Sequence, residues 1–346
     1  MKFQGGRTDG VTDKMLSNAD FRYHFHPQKG WLNDPNGLSY FDGRYHIFYQ
    51  HLPESEYPNG DSMHWGHAVT KDFLSFEELK PAINPDMPYD VSGVWSGTAI
   101  EKDGMLYAFY ASLDENKKQT VSVAYSKDGI NFEKYAGNPV ISDYPADGSE
   151  DFRDPAILYD NGKYYLVIAS ADKKKGTGNM LLYKSDDVFN WEYCGVLKEY
   201  DDCRYCECPS FARCGDGYLL SVSVCPKNSN HYFEVMYGSF DGKTFKAEIV
   251  SHFQKGPDEY AGQIFHAPDG RNILISWIPG WDYQPKEKCI GCLSLPLELT
   301  VSDGKIRAYP IKEVQSVVDA DDTVTDAYIK EEYINRGEEV RIRLIK

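Results

Sequence analysis

Three short acidic motifs hold the residues of this sequence best suited to acid–base chemistry. Asp34 lies in the run Trp-Leu-Asn-Asp-Pro-Asn-Gly, Asp154 in Phe-Arg-Asp-Pro and Glu207 in Glu-Cys-Pro. Two carboxyl groups flanking a glycosidic bond are the minimal apparatus for its hydrolysis: one attacks the anomeric carbon or activates water, and the other protonates the leaving oxygen. Because Asp-Pro and Asn-Gly are also ordinary turn dipeptides, the hypothesis of a carbohydrate-cleaving site depends on a fold that brings the three together.

The neighbours of each carboxyl group predict how it is held. Glu207 lies among cysteines and a proline, whose weak polarity is expected to raise its pKa, as a general acid requires. Asn33 and Asn36 are expected to donate hydrogen bonds to Asp34 and keep it ionised. The arginine before Asp154 is expected to do the same for that carboxylate. Because a proline follows each aspartate, both are expected on extended backbone.

Turn signals recur along the chain at a nearly constant interval. Asp-Gly or Asn-Gly begins at positions 42, 103, 161, 216 and 269, in steps of 61, 58, 55 and 53 residues, and apolar β-prone runs follow. This is typical of hairpins. A second series, half a repeat later, has Phe or Trp four residues after an Asp at 72, 128, 187 and 241. A period in the fifties predicts an all-β fold, a five-bladed β-propeller.

A propeller would explain how the three carboxylates meet. The innermost strand of each blade lines a central channel. Asp34, Asp154 and Glu207 precede the turn signal of their own repeat by 8, 7 and 9 residues. This common phase predicts that they converge at one end of the channel. Ser96 has the same phase in the second repeat, and Tyr260 has it in the fifth.

Composition and charge argue against several classes of protein. High aromatic content, with 26 Tyr, 17 Phe and 6 Trp, favours strands. No apolar stretch is long enough to span a bilayer. The net charge of −16 opposes binding to nucleic acid. Residues 1–6 lack the apolar region of a signal peptide, so a cytoplasmic protein is expected. The charge says little about a neutral substrate such as a sugar, so the small-molecule or oligosaccharide substrate suggested by the acidic motifs stays the expected partner.

Eight cysteines include two CxxC pairs, Cys203 with Cys206 and Cys289 with Cys292. Four such thiolates are able to hold zinc, but the two pairs lie much farther apart than in compact zinc modules. The preferred interpretation is reduced, partly buried thiols of a cytosolic protein, with no metal. A zinc-stabilised interaction module is the alternative.

The chain divides into three predicted segments. An N-terminal extension covers 1–21, a catalytic propeller covers 22–312, and a C-terminal remnant covers 313–346. Residues 313–330 are acidic and polar, as in a linker. Residues 340–345 alternate between apolar and charged side chains, as a strand with one apolar face does. Its partner strands are expected to be missing or supplied by the propeller.

Several segments resemble glycoside hydrolase family 32, the family of invertases, fructanases and sucrose-6-phosphate hydrolases. The three acidic motifs occur in the order typical of the family. Further similar segments are Phe-Tyr-Gln-His at 48–51, Trp-Gly-His-Ala at 65–68, Trp-Ser-Gly-Thr-Ala at 95–99 and Ser-Leu-Pro-Leu-Glu-Leu at 294–299. The resemblance covers roughly residues 22–312, essentially the whole predicted propeller. It implies five blades and a retaining cleavage of terminal β-D-fructofuranosides.

The resemblance also implies roles for individual residues. Asp34 would be the nucleophile that forms a fructosyl-enzyme, Glu207 the general acid and then the base, and Asp154 a stabiliser of the transition state. The implied substrate-binding residues are Asn33, Gln50, Trp65, Trp95, Ser96, Arg153, Tyr260 and Trp281. Core packing is the alternative for both Trp65 and Trp95. No metal or cofactor is implied.

Three departures from the family pattern keep other functions open. The usual C-terminal β-sandwich is expected to be absent or truncated. Glu259 and Gly262 replace an aromatic residue and a proline, and Trp95 replaces a common phenylalanine. The alternatives are a carbohydrate-binding propeller without turnover, and a fructosyltransferase in which a sugar acceptor competes with water. Lys286 and Lys288 are candidate groups for binding a phosphorylated sucrose, although a solvated loop also explains them.

Overall fold

The computed structural model describes most of the chain, and all statements below concern these parts of it. They are residues 24–55, 62–172, 174–253, 259–279 and 291–315, together with the backbone of 328–333 and 340–345.

Four four-stranded antiparallel sheets follow one another along the chain, each with its strands in sequence order. Blade one contains β1 (Trp31–Phe41), β2 (Arg44–Leu52), β3 (His64–Thr70) and β4 (Phe76–Ile83). Blade two contains β5 (Gly93–Lys102), β6 (Met105–Leu113), β7 (Gln119–Ser126) and β8 (Glu133–Lys134). Blade three contains β9 (Asp151–Asp160), β10 (Lys163–Asp172), β11 (Thr177–Ser185) and β12 (Glu192–Tyr200). Blade four contains β13 (Cys203–Cys214), β14 (Gly217–Pro226), β15 (Tyr232–Phe240) and β16 (Phe245–His252).

Blade five closes the ring. It contains β17 (Tyr260–His266), β18 (Asn272–Ile278), β19 (Cys292–Leu293), β20 (Leu297–Ser302) and β21 (Lys305–Pro310). The short β19 pairs with the end of β18, and β20 pairs with its beginning. The first strands of the five blades contact one another in succession, and β17 returns to contact β1. The predicted five-bladed β-propeller is confirmed.

The segment ahead of blade one is bonded to blade five. The Leu293 N–H donates to the Phe25 carbonyl oxygen over 2.8 Å, and His24 Nδ1 lies 2.8 Å from the Leu293 carbonyl oxygen. The Phe25 ring then packs on blade one, 5.2 Å from the ring of Tyr49 and 5.1 Å from that of Phe76. These contacts form a non-covalent seam between the first and last blades.

The hydrophobic core is divided among the interfaces between blades. Each of its five clusters is built mainly from two neighbouring sheets, one cluster for every interface around the ring. Between blades one and two, for example, the fully buried Trp65 meets Tyr110 edge to face, with ring centroids 6.3 Å apart. Because burying one large apolar side chain stabilises a fold by about 1.5–3 kcal/mol, each interface is a substantial source of stability.

Three of the five predicted Asp-Gly or Asn-Gly turns form as expected. The dipeptides at 42–43, 103–104 and 161–162 join the first strand of their blade to the second. Both residues of each have positive φ, between 46° and 77°. That geometry matches the right-handed twist of the flanking strands, and Asn, Asp and Gly adopt it most readily.

The other two turns differ from the prediction. In blade four the turn residues are Gly215 and Asp216, and Gly217 already belongs to β14. Gly215 carries the positive φ, 57°, because a glycine in the first turn position permits it. In blade five a five-residue loop, 267–271, replaces the two-residue turn. The dipeptide predicted where both connections occur in the chain, but it did not predict which residues form them.

The second repeating signal is explained by side-chain caps. In blades one to four, an aspartate lies between the third and fourth strands, and its Oδ1 accepts hydrogen bonds from the backbone N–H groups two and three residues later, at 2.7–2.9 Å. These residues are Asp72, Asp128, Asp187 and Asp241. Such Asx turns are a local alternative to strand pairing, so the signal marks the same connection in each blade.

The C-terminal strand has a partner of its own. β22 (Tyr328–Tyr333) and β23 (Val340–Ile345) form an antiparallel hairpin. The strand expected at the end of the chain is therefore present. Its partner begins inside the segment expected to be a linker, rather than coming from the propeller. Among the described residues, no helix is long and apolar enough to cross a membrane.

Two buried histidines are paired inside blade one. His46 on β2 and His67 on β3 place Nδ1 and Nε2 3.0 Å apart, and the His67 ring stacks on Phe48 at 4.3 Å. Both are essentially inaccessible to solvent. Burial lowers the pKa of His46 to about 4 and that of His67 to about 3, because the charged imidazolium is poorly solvated there.

We expect this pair to make the fold sensitive to acid. Both folded pKa values lie below the unfolded value, so the stability is complete above about pH 6.5 and declines as the pH falls. At pH 5 the loss should be about 2 kcal/mol per histidine. Urea unfolding at pH 5, 6 and 7 measures it. His67→Phe should remove about half of the dependence, and the exposed-site control His266→Gln should not. Equal slopes for His67→Phe and the unmodified chain would contradict the assignment.

Candidate active site

Every first strand has a β-bulge at the same end of the channel. At each one, two residues oppose a single residue of the second strand. The bulged pairs are 33–34, 95–96, 154–155, 208–209 and 261–262. A bulge bends its strand and changes where the side chains point. Since five bulges lie at corresponding positions around a ring, side chains of all five blades are directed to one mouth of the channel.

The bulge corrects the expected backbone of Asp154. Its φ is +57°, in the left-handed region, and Cys208 and Ala261 have +50° and +54° at the corresponding positions of blades four and five. The following proline disfavours helical backbone, but in blades three, four and five the first residue of the bulge has a positive φ. Non-glycine residues adopt this region at a cost, and such positions cluster at functional sites.

A cavity of about 250 Å³ lies at this mouth, lined by residues of blades one to four. Eight of its ten lining residues are predicted site residues: Asn33, Asp34, Gln50, Trp95, Ser96, Arg153, Asp154 and Glu207. The other two are Trp31 and Met63. Neither the Asn33 Oδ1 nor the Trp31 Nε1 has a hydrogen-bond partner among the described residues. The cavity therefore combines three carboxyl groups with polar atoms able to bind a hydroxylated ligand.

Asp34 is held by residues from two other blades. Its Oδ2 accepts a 2.7 Å hydrogen bond from Ser96 Oγ and a 3.4 Å contact from Cys208 Sγ. The prediction that Asn33 and Asn36 donate hydrogen bonds to Asp34 is wrong. Asn36 instead accepts a hydrogen bond from the Gly97 N–H at 3.3 Å. Loss of bulk solvent raises the pKa of Asp34 to about 6, although the Ser96 bond opposes the rise. The group is ionised above that pH and still basic enough to attack.

Asp154 is the more shielded of the two aspartates. Its side chain is buried, and Oδ2 accepts from the Cys208 N–H at 2.9 Å and meets Cys208 Sγ at 3.5 Å. Burial raises its pKa to about 7, Arg153 lowers it, and the charges of Glu207 and Asp34 raise it again. The neighbouring arginine does not offset the cost of burial, contrary to the expectation that it keeps the group ionised.

Glu207 lies in polar surroundings. Its Oε1 accepts from Arg153 Nε at 3.2 Å and from Arg153 Nη2 at 2.9 Å, and its Oε2 accepts from the Tyr260 hydroxyl. One quarter of the side chain is exposed. The weakly polar environment expected from the flanking cysteines is not what the carboxylate meets. Its exposed edge faces the cavity between a cation and a phenol.

Arg153 links the carboxylates to the aromatic residues of the mouth. Its guanidinium lies 5.7 Å from the ring centroid of Trp95 and 5.8 Å from that of Tyr205, close enough for cation–π attraction. It also pairs with Asp151 at 3.0 Å, and Nη1 donates to Gln119 Oε1 at 3.1 Å. Burial alone would lower its pKa, but the surrounding carboxylates raise it. Arg153 is therefore a fixed positive charge beside Glu207.

Two predicted substrate-binding residues do not line the cavity, and a third lies outside the described residues. Trp65 is fully buried behind the cavity and donates from Nε1 to the Trp95 carbonyl oxygen at 2.8 Å, which supports the core-packing alternative. Tyr260 binds Glu207 instead of lining the cavity. Trp281, Lys286 and Lys288 lie outside the described residues.

Cys208 is the main residue that the sequence analysis missed. It connects Asp34 and Asp154 through one sulfur, and it lies beside Glu207 in the chain. In the sequence, the only indication of its role was its place in the Glu-Cys-Pro motif. Gly262, which stands where the family usually has proline, is explained by packing. A Cβ at this position would lie 2.6 Å from the Phe233 ring.

The cysteine pairs fit core packing where they are described. Cys203 and Cys206 are both buried in the cluster between blades three and four. The described part of the chain contains no group of three or more His, Cys, Asp or Glu side chains arranged to hold a metal. Cys289 lies outside it.

Comparisons with known proteins identify the family of the chain. The protein-family model described as "Glycosyl hydrolases family 32 N-terminal domain" matches residues 24–310. The chain belongs to glycoside hydrolase family 32. Among its family 32 relatives, a raffinose invertase of Escherichia coli is 35% identical over 317 residues, and a sucrose-6-phosphate hydrolase of the same organism is 33% identical over 338.

Solved structures of the family share the fold. A Bombyx mori GH32 β-fructofuranosidase superposes with a TM-score of 0.76 at 33% identity, covering 85% of this chain and 66% of that one. A sucrose-6-phosphate hydrolase from Lactobacillus gasseri gives 0.75 at 28%, covering 85% and 64%. The two Escherichia coli relatives are matched over 85% and 91% of this chain and over 65% and 69% of their own lengths. The chain thus spans about two thirds of these relatives.

Proposed function

We propose that this family 32 chain is a retaining glycoside hydrolase that cleaves terminal β-D-fructofuranosides. The single observation that carries the proposal is the cavity in which Asp34, Asp154 and Glu207 meet. The three come from blades one, three and four, and each has a distinct set of partners. A nucleophile, a charge stabiliser and a proton donor require such unequal environments.

The proposed reaction has two steps. Asp34 attacks the anomeric carbon of the fructosyl unit while Glu207 protonates the leaving oxygen, giving a fructosyl-enzyme. Glu207 then takes a proton from water, which displaces Asp34. Ser96 and Cys208 fix the oxygen of Asp34 that they bind, and Arg153 with Tyr260 fixes Glu207. In this proposal Asp154, with Arg153, binds fructose hydroxyls and stabilises the transition state, and Asn33 lines the fructose pocket.

The substrate is a small sugar in this proposal. Relatives carry the names raffinose invertase, sucrose-6-phosphate hydrolase and levanase, and a Bombyx mori relative was solved as a mutant in complex with sucrose. A fructosyl group joined to a variable partner is common to these substrates. The fructose-binding side is therefore the shared part of the site, and the leaving-group side is the part that varies.

Fructose release tests the proposal. The folded chain is incubated with sucrose, sucrose-6-phosphate, inulin and levan, and free fructose is measured. Added methanol competes with water, so a retaining enzyme forms methyl β-D-fructofuranoside, whose configuration NMR identifies. The α-anomer would refute retention. Binding of these sugars without any product would indicate a carbohydrate-binding propeller, and products longer than the substrate would indicate a transferase.

The pH profile should depend on Ser96. Asp34 must be ionised to attack, so kcat/KM is expected to fall as the pH drops below about 6. The Asp34–Asp154 pair together determines this acid limb. Because the Ser96 hydrogen bond lowers the pKa of Asp34, Ser96→Ala should move the limb to higher pH. Ser126→Ala, at a turn of the same blade, is the control. An unshifted limb in Ser96→Ala would contradict the role given to Ser96.

We also propose a cytoplasmic location. The seven described cysteines are free thiols, four of them on β13. Free thiols in this number are typical of reducing compartments. Immunodetection in fractionated cells tests this: recovery from the cytosolic fraction is expected, and recovery from the medium or envelope would refute it.

A further inference from the structure

Arg204 is an exposed arginine next to the proposed acid and has no role in the mechanism above. It lies on β13, three residues before Glu207, and its guanidinium carbon is 5.4 Å from the ring centroid of Tyr205. The same ring lies 5.8 Å from the guanidinium of Arg153, which binds Glu207. One tyrosine ring thus separates Arg204 from the arginine of the catalytic cavity.

The charge of Arg204 is not neutralised by a carboxylate of the described residues. Its only hydrogen bond there joins Nη2 to Cys225 Sγ at 3.0 Å. The nearby Asp202 accepts instead from Asn228 Nδ2, at 2.9 Å. In a chain with a net charge of −16, an exposed arginine that the surrounding acids leave unpaired is available for an anion. Ring and thiol contacts already restrict its position, which lowers the entropy lost on binding.

The position of Arg204 indicates which part of a substrate it would meet. A general acid protonates the leaving oxygen, so the leaving group lies on the side of Glu207. The Tyr205 ring lies between the guanidinium groups of Arg204 and Arg153, and Arg153 binds Glu207 directly. Arg204 does not line the cavity, but through Tyr205 and Arg153 it lies on the side of Glu207, where the leaving group would be.

We propose that Arg204 binds a phosphate group on the leaving sugar, so that the preferred substrate is a phosphorylated fructoside. The proposal rests on the proposed function and adds its substrate class. Guanidinium and phosphate match in shape and charge, and their hydrogen bonds are charge-assisted. A neutral leaving sugar gains no comparable attraction from this residue.

Substrate selectivity tests the assignment. The ratio of kcat/KM for sucrose-6-phosphate to that for sucrose is measured in the unmodified chain, Arg204→Gln and Arg204→Lys. The unmodified chain should prefer the phosphorylated sugar about tenfold, as one charged hydrogen bond suggests. Arg204→Gln should abolish the preference, mainly through KM, and Arg204→Lys should keep part of it. Added salt should weaken the preference, because the contact is exposed.

Arg213 provides a matched control. It lies on the same strand, stacks on Tyr218 at 5.1 Å and is exposed, but it pairs with Asp160 at the opposite end of the channel. Arg213→Gln should leave the ratio unchanged. No preference in the unmodified chain, or an equal preference in Arg204→Gln, would overturn the proposal.

A binding measurement separates this inference from the proposed function. Glucose 6-phosphate, the leaving group of sucrose-6-phosphate, is titrated into the unmodified chain and Arg204→Gln, with glucose as reference. Binding that Arg204→Gln weakens about tenfold supports the assignment even if no substrate is cleaved. Cleavage of sucrose with no Arg204-dependent binding of glucose 6-phosphate refutes the assignment and leaves the hydrolase standing.

Discussion

Asp34→Asn is expected to lower kcat by at least about 10⁴-fold, the scale on which removal of a nucleophile acts. The amide is nearly isosteric, and its oxygen can still accept from Ser96 and Cys208, but it lacks the charge needed for attack. Fructose release measures kcat. Intact-protein mass spectrometry during turnover should detect a fructosyl adduct on the unmodified chain and none on the variant. An adduct on Asp34→Asn would refute the assignment.

The same substitution should stabilise the fold at neutral pH. The folded pKa of Asp34 is raised to about 6, so its contribution to stability is complete at acid pH and declines as the pH rises through that value. Removing the charge should therefore raise the melting temperature at pH 8 more than at pH 5. Asp160→Asn is the control, since that buried aspartate binds Arg213 and Tyr218 far from the cavity. It should retain kcat.

Glu207→Gln is expected to lower kcat by about 10²–10⁴-fold, the usual contribution of general acid–base catalysis. The amide can still accept from Arg153 and Tyr260, so the cavity should be preserved, but it cannot donate a proton to the leaving oxygen. The loss should be large for sucrose and small for an aryl fructoside, whose leaving group needs little protonation. Kinetics with both substrates measure the difference.

Azide distinguishes an acid–base residue from a structural one. A small anion can attack the fructosyl-enzyme without a general base, so azide should restore turnover of the aryl fructoside by Glu207→Gln and form a β-fructosyl azide. It should not rescue Asp34→Asn, which forms no intermediate. Equal losses for both substrates, with no rescue, would mean that Glu207 acts by holding Arg153 in place.

The blade count and the meeting of the carboxylates were predictable because both depend on local, repeated signals. Turn dipeptides and Asx caps act within a few residues, so their spacing reports the length of a blade. The surroundings of each carboxylate were not predictable. Ser96 and Cys208 are 62 and 174 residues from Asp34 in the chain. Of the two asparagines expected to donate to Asp34, Asn36 instead accepts from the Gly97 N–H.

Trp65 and Trp95 show the same limit. Both lie in similar Trp-Gly and Trp-Ser segments, yet one is fully buried and the other lines the cavity. A bulge decides which way Trp95 points, and a bulge depends on the pairing of two strands rather than on one. The left-handed backbone of Asp154 was missed for the same reason. The effect of a proline on the preceding residue is local, whereas the bulge depends on a second strand.

The seam between blades five and one has a mechanical consequence. Going round the ring, the shorter path from Asp34 on blade one to Glu207 on blade four crosses blade five and this seam. The covalently continuous path runs through blades two and three. The distance between Asp34 and Glu207 therefore depends on the seam, which is held by Phe25 and Leu293. If the seam loosened, the distance between Asp34 and Glu207 would increase while every blade stayed folded. The catalytic rate should therefore fall before spectroscopy detects unfolding.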